Sequence, residues 1–405
     1  MNRIGSARIV LPGEATHGTS EFYRMRERIS RELIIKKGFR FISIEADWPD
    51  AARVDHYVRH FQYPPSEWTA FARFPTWMWR NNEVRDFVSW LRKYNDTVQR
   101  DQRVAFHGLD LYSLYDSIRS VLNYLDEVDP DSAKVARERC GCLTPWQRDP
   151  ATYGHAALTG SYPTCEKHVV RTLTDLLDKR RAYAEHDGER FLDACRTLVW
   201  SQTPSATTAS STTARVLPGI CAIVICLLLW KPCSRSMGRT AKPIVWAHNS
   251  HIGDAGATEM SARGEHNIGH LCRKEFGEQA YLVGFGTNSG TVAAASEWGG
   301  PMEVKTVRPA LPKSYEQLCH ACLARFLLGL RDRSDLCGPK GLGKPRLERA
   351  IGVIYRPESE LASQYFQAVL PQQFDEYIWF DDARAVTPFD TAEIEGLPDT
   401  YPVGV

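Results

Sequence analysis

Residues 7–45 read ARIVLPGEATHGTSEFYRMRERISRELIIKKGFRFISIE, and the order of patterns within them decides the fold. Residues 7–12 are a short apolar run ending at a turn-like glycine, Gly13, and predict a buried strand. Residues 20–37 follow, with Phe22, Met25, Ile29 and Leu33 at helical spacing, Ser20 as the expected N-cap and Gly38 as the stop. Residues 39–45 are rich in aromatic and β-branched types and predict a second strand. Strand, helix, strand in this order makes a parallel pair, whose C-terminal ends share one rim, where open α/β folds gather their ligands. Glu14 and His17 follow the first strand and Glu45 ends the second, so the three are expected to meet there.

The pattern continues outward. Residues 83–94 predict an amphipathic helix with Val84, Phe87, Val88 and Leu91 on its apolar face. Residues 103–106 predict a strand leading to Asp110. Residues 242–247 predict another, carrying His248 and His251, and residues 280–285 and 350–355 two more. The turn-rich GTNSG after residue 285 should end its strand, and residues 331–346, basic and rich in Gly and Pro, should form an exposed loop. Helices are expected at 114–125 and 165–186. Strands separated by helices give an α/β fold with a parallel or mixed central sheet flanked by helices. One domain over residues 1–405 is expected, with a helical insertion or subdomain around 110–200.

Composition narrows the function. The chain has 405 residues, 43% of them apolar, so a substantial core can form. A net charge of +1 argues against a nucleic-acid partner, which needs a basic face. The N-terminal residues lack the basic, apolar and small-residue succession of a signal peptide. The longest apolar run, residues 220–230, is too short to span a bilayer. No membrane partner is therefore expected, and the cytosol is the expected location. Eleven cysteines, an odd number, do not form a disulfide framework. Cys140-x-Cys142 and Cys319-x-x-Cys322 are single pairs and make a poor zinc motif.

Histidine can take a proton from water and return it near neutral pH, and a carboxylate can fix its tautomer. His17, within Gly13-Glu14-Ala15-Thr16-His17-Gly18, suits a general base with Glu14 or Glu45 as its orienting partner. A buried carboxylate at Glu45 needs a partner. Arg24 and Arg26 could neutralise the cluster or hold a substrate, and surface solvation serves each equally well. His248-x-x-His251 offers either an oxyanion donor or metal ligands. A divalent metal on His17, Glu45 and His248 is the alternative to a cofactor-free site. No H-E-x-x-H motif occurs, so the metal-free version is favoured. No G-x-S-x-G elbow or phosphate-binding glycine loop occurs either, which argues against a serine nucleophile and a nucleotide ligand. Trp77 and Trp79, in the aromatic stretch 57–80, suit a cleft wall and a core equally.

The motifs GEATHGTSEFYRMR (13–26), FISIEADWPD (41–50), FPTWMWRNNEVRDFVSWLR (74–92), FHGLDLYSL (106–114), VWAHNSHIGDA (245–255), AYLVGFGTNSGTV (280–292) and ERAIGVIYRPESE (348–360) together resemble the erythromycin esterase family. The resemblance implies an α/β core with helical additions and hydrolysis of a small-molecule ester or lactone, in the best-known members a macrolide. It implies His17 as general base, with Glu14, Glu45, Arg26 and His248 as further active-site positions and His251 beside them. Asp110, Trp77 and Arg24 are added as candidate substrate-binding residues. The family's roles extend from antibiotic resistance to secondary metabolism and polysaccharide biosynthesis. Residues 201–240 depart from the family pattern: a polar low-complexity run precedes the apolar, cysteine-bearing run. A linker with a buried strand is one reading. A segment from another reading frame or splice pattern is the other, which would make the chain a catalytically degenerate, ligand-binding homologue.

Overall fold

The computed structural model describes residues 2–60, 70–71, 74–110, 122–141, 175, 179, 242–331 and 342–389. Six of its strands run parallel in the spatial order β3 (Ala105–Asp110), β2 (Phe39–Asp47), β4 (Lys242–Trp246), β1 (Ile9–Pro12), β5 (Ala280–Ala294), β10 (Glu376–Ala383). β7 (Arg325–Gly329) closes the far edge antiparallel to β10, and β6 (Glu303–Val307) lies antiparallel to the end of β5. A separate antiparallel pair joins β8 (Arg346–Arg349) to β9 (Tyr365–Ala368). The fold is therefore a mostly parallel mixed sheet with helices on both faces.

Alternation along the strands sends side chains to opposite faces. Val10, Ile42, Ile44, Ile244, Trp246 and Val283 pack beneath α1 (Ser20–Lys37) and α3 (Asn82–Asp96). Ile9, Leu11, Val245 and Leu282 pack against the helix Ile268–Phe276 on the other face. β1 connects toward β2 on one side and β4 toward β5 on the other, so the chain reverses its sense of travel at the β4–β1 pair. Such a reversal opens a crevice beyond the strands' C-terminal ends.

α1 keeps its expected bounds and ends at Gly38, whose φ of 68° lets its N–H reach the Leu33 carbonyl. Its start differs from expectation. Thr19 is the N-cap, without a side-chain bond, and Ser20 is already helical, donating instead to Glu83 at 2.5 Å. The centre of its buried face differs too. Arg26 and Ser30 are fully buried, whereas Met25 and Ile29 pack only partly against the core.

β5 runs on through the expected GTNSG turn. Gly290, at φ 117°, marks where its pairing passes from β10 to β6, and the segment stays extended because it has a partner on either side of that point. The apolar run 350–355 makes only single bridges, Ile351 to Thr16 and Ile354 to Ala295, and the strand lies just before it. Of the expected helical portion at 110–200, residues 122–141 are described and include the helix Pro130–Cys140. All but residues 175 and 179 of the helix expected at 165–186, most of that at 114–125, the segment 201–240 and residues 332–341 of the expected loop lie outside the described residues. Among the described residues, no helix is long and apolar enough to cross a membrane.

Candidate active site

The C-terminal ends of β1, β4 and β2 are neighbours, and each delivers part of one polar cluster. From β1, the chain turns at Gly13, where backbone and side chains crowd in. A Cβ there would lie 2.3 Å from the Asn249 amide oxygen, and one at Gly18 would lie 2.0 Å from the Ala293 carbonyl. Neither glycine has a positive φ, so both are required by close approach. The loop is pinned further by the Asn249 N–H donating to the Glu14 carbonyl (2.8 Å) and by the Tyr23 hydroxyl donating to the His17 carbonyl (2.8 Å).

Within this loop His17 Nδ1 lies 2.9 Å from Glu14 Oε1. Glu14 Oε2 is paired with Arg26 Nη2 at 2.7 Å, and both of these side chains are fully buried. Helical spacing brings Arg26 from the second turn of α1 back over the loop. Its guanidinium sits 4.2 Å from the ring centre of Tyr23 and 5.1 Å from that of Trp246. The aromatic faces offset part of the cost of burying its charge.

Glu45, at the end of β2, accepts from the His248 backbone N–H at 2.7 Å and contacts His251 Nε2 at 3.0 Å. Burial alone would raise its pKa. The charge and hydrogen bond of His251, with His17 and His248 nearby, outweigh burial and hold Glu45 well below the usual carboxylate range. His248 is displaced in the opposite sense to a paired histidine. Burial, then the neighbouring His17 and His251, push it well below the ordinary value, with Glu45 and the Ala15 carbonyl pulling back. It is therefore neutral. The Ser250 backbone N–H donates to its Nδ1 at 3.3 Å, which assigns the hydrogen to Nε2. That buried nitrogen forms no hydrogen bond among the described residues. The rings of His17 and His248 have centroids 4.8 Å apart.

The structure thus brings together Glu14, His17, Arg26, Glu45, His248 and His251. Arg24 stands apart: it is exposed, with Glu83 as its partner at 3.9 Å. Trp77 is a buried core residue packed edge-on against Phe74. Trp79 is the tryptophan tied to the cluster, its indole N–H donating to the Glu45 carbonyl at 2.9 Å. Asp110 ends β3 in register with Asp47, and its side chain lies outside those described. Three members escaped the sequence: Asn249, Ser250 and Tyr23, which work through main-chain contacts that no spacing rule advertises. For a metal, the donors do not converge. No group of three or more His, Cys, Asp and Glu among the described residues is arranged to hold one. Both oxygens of Glu45 are already engaged by His248 and His251.

The sequence model of the family described as Erythromycin esterase matches residues 34–383. The chain belongs to the erythromycin esterase family. A curated Escherichia coli relative, "Erythromycin esterase type II", is 27% identical over 108 residues, which are 27% of this chain and 24% of that protein. That match therefore spans about a quarter of the relative's length. Among solved structures, a Bacillus cereus protein aligns at 21% identity and a TM-score of 0.73, covering 96% of this chain and 92% of its own. A succinoglycan biosynthesis protein aligns at 20% identity and a TM-score of 0.72, over 95% and 90%. A mutant of the erythromycin esterase EreC, in its open conformation, aligns at 17% identity and a TM-score of 0.66, over 95% and 93%. At these identities the likeness is one of fold. The erythromycin esterase fold is shared over nearly the whole chain.

Proposed function

We propose that this member of the erythromycin esterase family hydrolyses a small-molecule ester or lactone with a water activated by His17 and without a covalent intermediate. One observation carries the reading: His17 is oriented by a buried carboxylate, Glu14, whose second oxygen is neutralised by the buried Arg26. With Nδ1 held by Glu14, His17 has Nε2 left to accept the proton of an attacking water. Glu14 stabilises the imidazolium so formed, and Arg26 holds the second oxygen of Glu14 in place. The water oxygen bonds to the ester carbon, and the carbonyl oxygen becomes an oxyanion. His248, neutral with a hydrogen on Nε2, donates to that oxygen. Collapse breaks the bond to the alcohol oxygen, which recovers the proton from His17. Glu45 holds the His248 main chain and His251 in place.

A macrolide-type lactone is the first substrate to try, because two of the relatives are named as erythromycin esterases. The test is a panel of esters and macrolactones, read by the mass of the ring-opened product, with wild type, H17A and H248A side by side. H17A should lose roughly 10²- to 10⁴-fold in kcat, and H248A roughly 10²- to 10³-fold, with both folds intact. A chelator should leave turnover unchanged. Undiminished turnover by folded H17A would overturn the base assignment, and activity lost to a chelator and restored by a divalent ion would replace it with a metal mechanism.

A further inference from the structure

Asn249, just beyond β4, ties the loop after β1 to β5. Its backbone N–H donates to the Glu14 carbonyl, its side-chain amide donates to the Phe285 carbonyl at 2.7 Å, and its amide oxygen accepts from the Phe285 N–H at 3.3 Å. Beside it stands Glu348 of β8. The carboxylate is fully buried, with Oε1 3.4 Å from the Asn249 amide nitrogen. Glu348 belongs to a cluster of polar groups with no evident use. Glu348 Oε2, Glu316 Oε2, both polar atoms of the Gln373 amide and the Tyr377 hydroxyl are buried without a hydrogen-bond partner among the described residues. Orphaned polar atoms gathered in one place mark a hydrogen-bonding group that internal water completes.

We propose that Glu348 is a positioning residue for the hydrolytic site, bracing Asn249, and through it the main chains of Glu14 and His248, from a buried polar group that it shares with Gln373, Glu316 and Tyr377. The inference rests on the hydrolase reading above.

The surroundings of Glu348 require the neutral form. From the helix Tyr315–His320 come Glu316, Tyr315 and Cys319; from β10 comes Tyr377; from β8 itself come Arg346 and Arg349. Arg349 is the nearby buried cation, but its guanidinium is spent on Glu360 and on the carbonyls of Thr287, Asn288 and Arg308. Burial, then the charge of Glu316, push the Glu348 carboxyl well above the usual carboxylate range, against a smaller pull from Gln373 and Asn249. With its hydrogen in place, Glu348 adds a donor to a group otherwise rich in acceptors. Ionised, it would add a second buried anion beside Glu316.

Two variants separate positioning from mere structure. E348Q keeps a neutral hydrogen-bonding group of the same shape, and E348A removes it. E348A should lower kcat roughly ten- to a hundredfold with KM little changed, the scale that a small misplacement of catalytic groups costs. E348Q should restore kcat at neutral pH and abolish the alkaline fall in kcat that ionisation of Glu348 imposes on wild type. Ring nitrogen NMR signals of His17 and His248 should move in E348A and stay in E348Q, a readout that needs no turnover. It therefore separates failure of this inference from failure of the hydrolase reading. Histidine signals unmoved in E348A, or an E348Q that behaves as E348A does, would overturn the proposal.

Discussion

Take away the Arg26 guanidinium and Glu14 loses the cation on its second oxygen, keeping only the His17 ring, in a site with no exposure to solvent. Removing one partner of such a pair costs about 3–5 kcal/mol, far more than an exposed ion pair contributes. R26M should therefore lower the unfolding free energy by that amount, read from the shift of the denaturant midpoint. E14Q/R26M should recover much of the loss, because it leaves no buried charge. The same double variant should remain inactive, since a glutamine cannot stabilise the His17 imidazolium. Ser30, one turn further along α1, accepts from the Trp246 indole N–H at 2.9 Å. S30A should cost about 1–3 kcal/mol by leaving that donor unsatisfied, measured by the same unfolding curve. These two positions explain where the reading of α1 fell short. An apolar stripe marks the edges of this buried face, whereas its centre is polar because the site lies beneath it.

At the level of elements, the decisive joint is between the β1 loop and β5. The Gly18 carbonyl accepts from both Ala293 and Val386, and there is no room for a methyl group. G18A should destabilise at or above the upper end of the about 1–3 kcal/mol that overpacking costs. Because His17 is its neighbour, kcat should fall more steeply than the unfolding midpoint, which paired kinetic and denaturation measurements would reveal. The sequence announced this loop through its glycines and announced α1, α3 and the strand positions of the core through periodicity. It hid the continuation of β5 beyond Gly286, since turn-forming residues are tolerated in a strand that changes partners. It also hid the lone bridges of residues 350–355, since apolar runs report burial and not pairing. The polar cluster was legible as residue types at strand ends, and the choice of Trp79 over Trp77 was not. Both are buried, and only the turn of the backbone aims one indole at Glu45.

For the molecule as a whole, the buried titrating groups set the response to acid. His248 is held neutral below the ordinary histidine value, so the unfolded chain binds a proton there before the folded one does. The stability that His248 contributes is then complete above about pH 6.5 and falls as the pH drops below it. Glu45, held low, adds a second loss below the ordinary carboxylate value. Urea titrations across a pH series should show both stages, and H248N should remove the first while keeping the second. Glu348 works in the opposite sense: its raised pKa makes the folded chain bind the extra proton, so stability declines as pH rises above the ordinary carboxylate value toward its own. The strand order carries a consequence of another kind. β1 is made well ahead of both its neighbours, since β4 and β5 begin more than two hundred residues after it. Throughout that wait the central strand of the sheet has neither edge covered, and Glu14 and His17 have no His248 to face. A nascent chain halted just before residue 242 would hold Glu14, His17, Arg26 and Glu45 without β4, the strand that lies between β1 and β2.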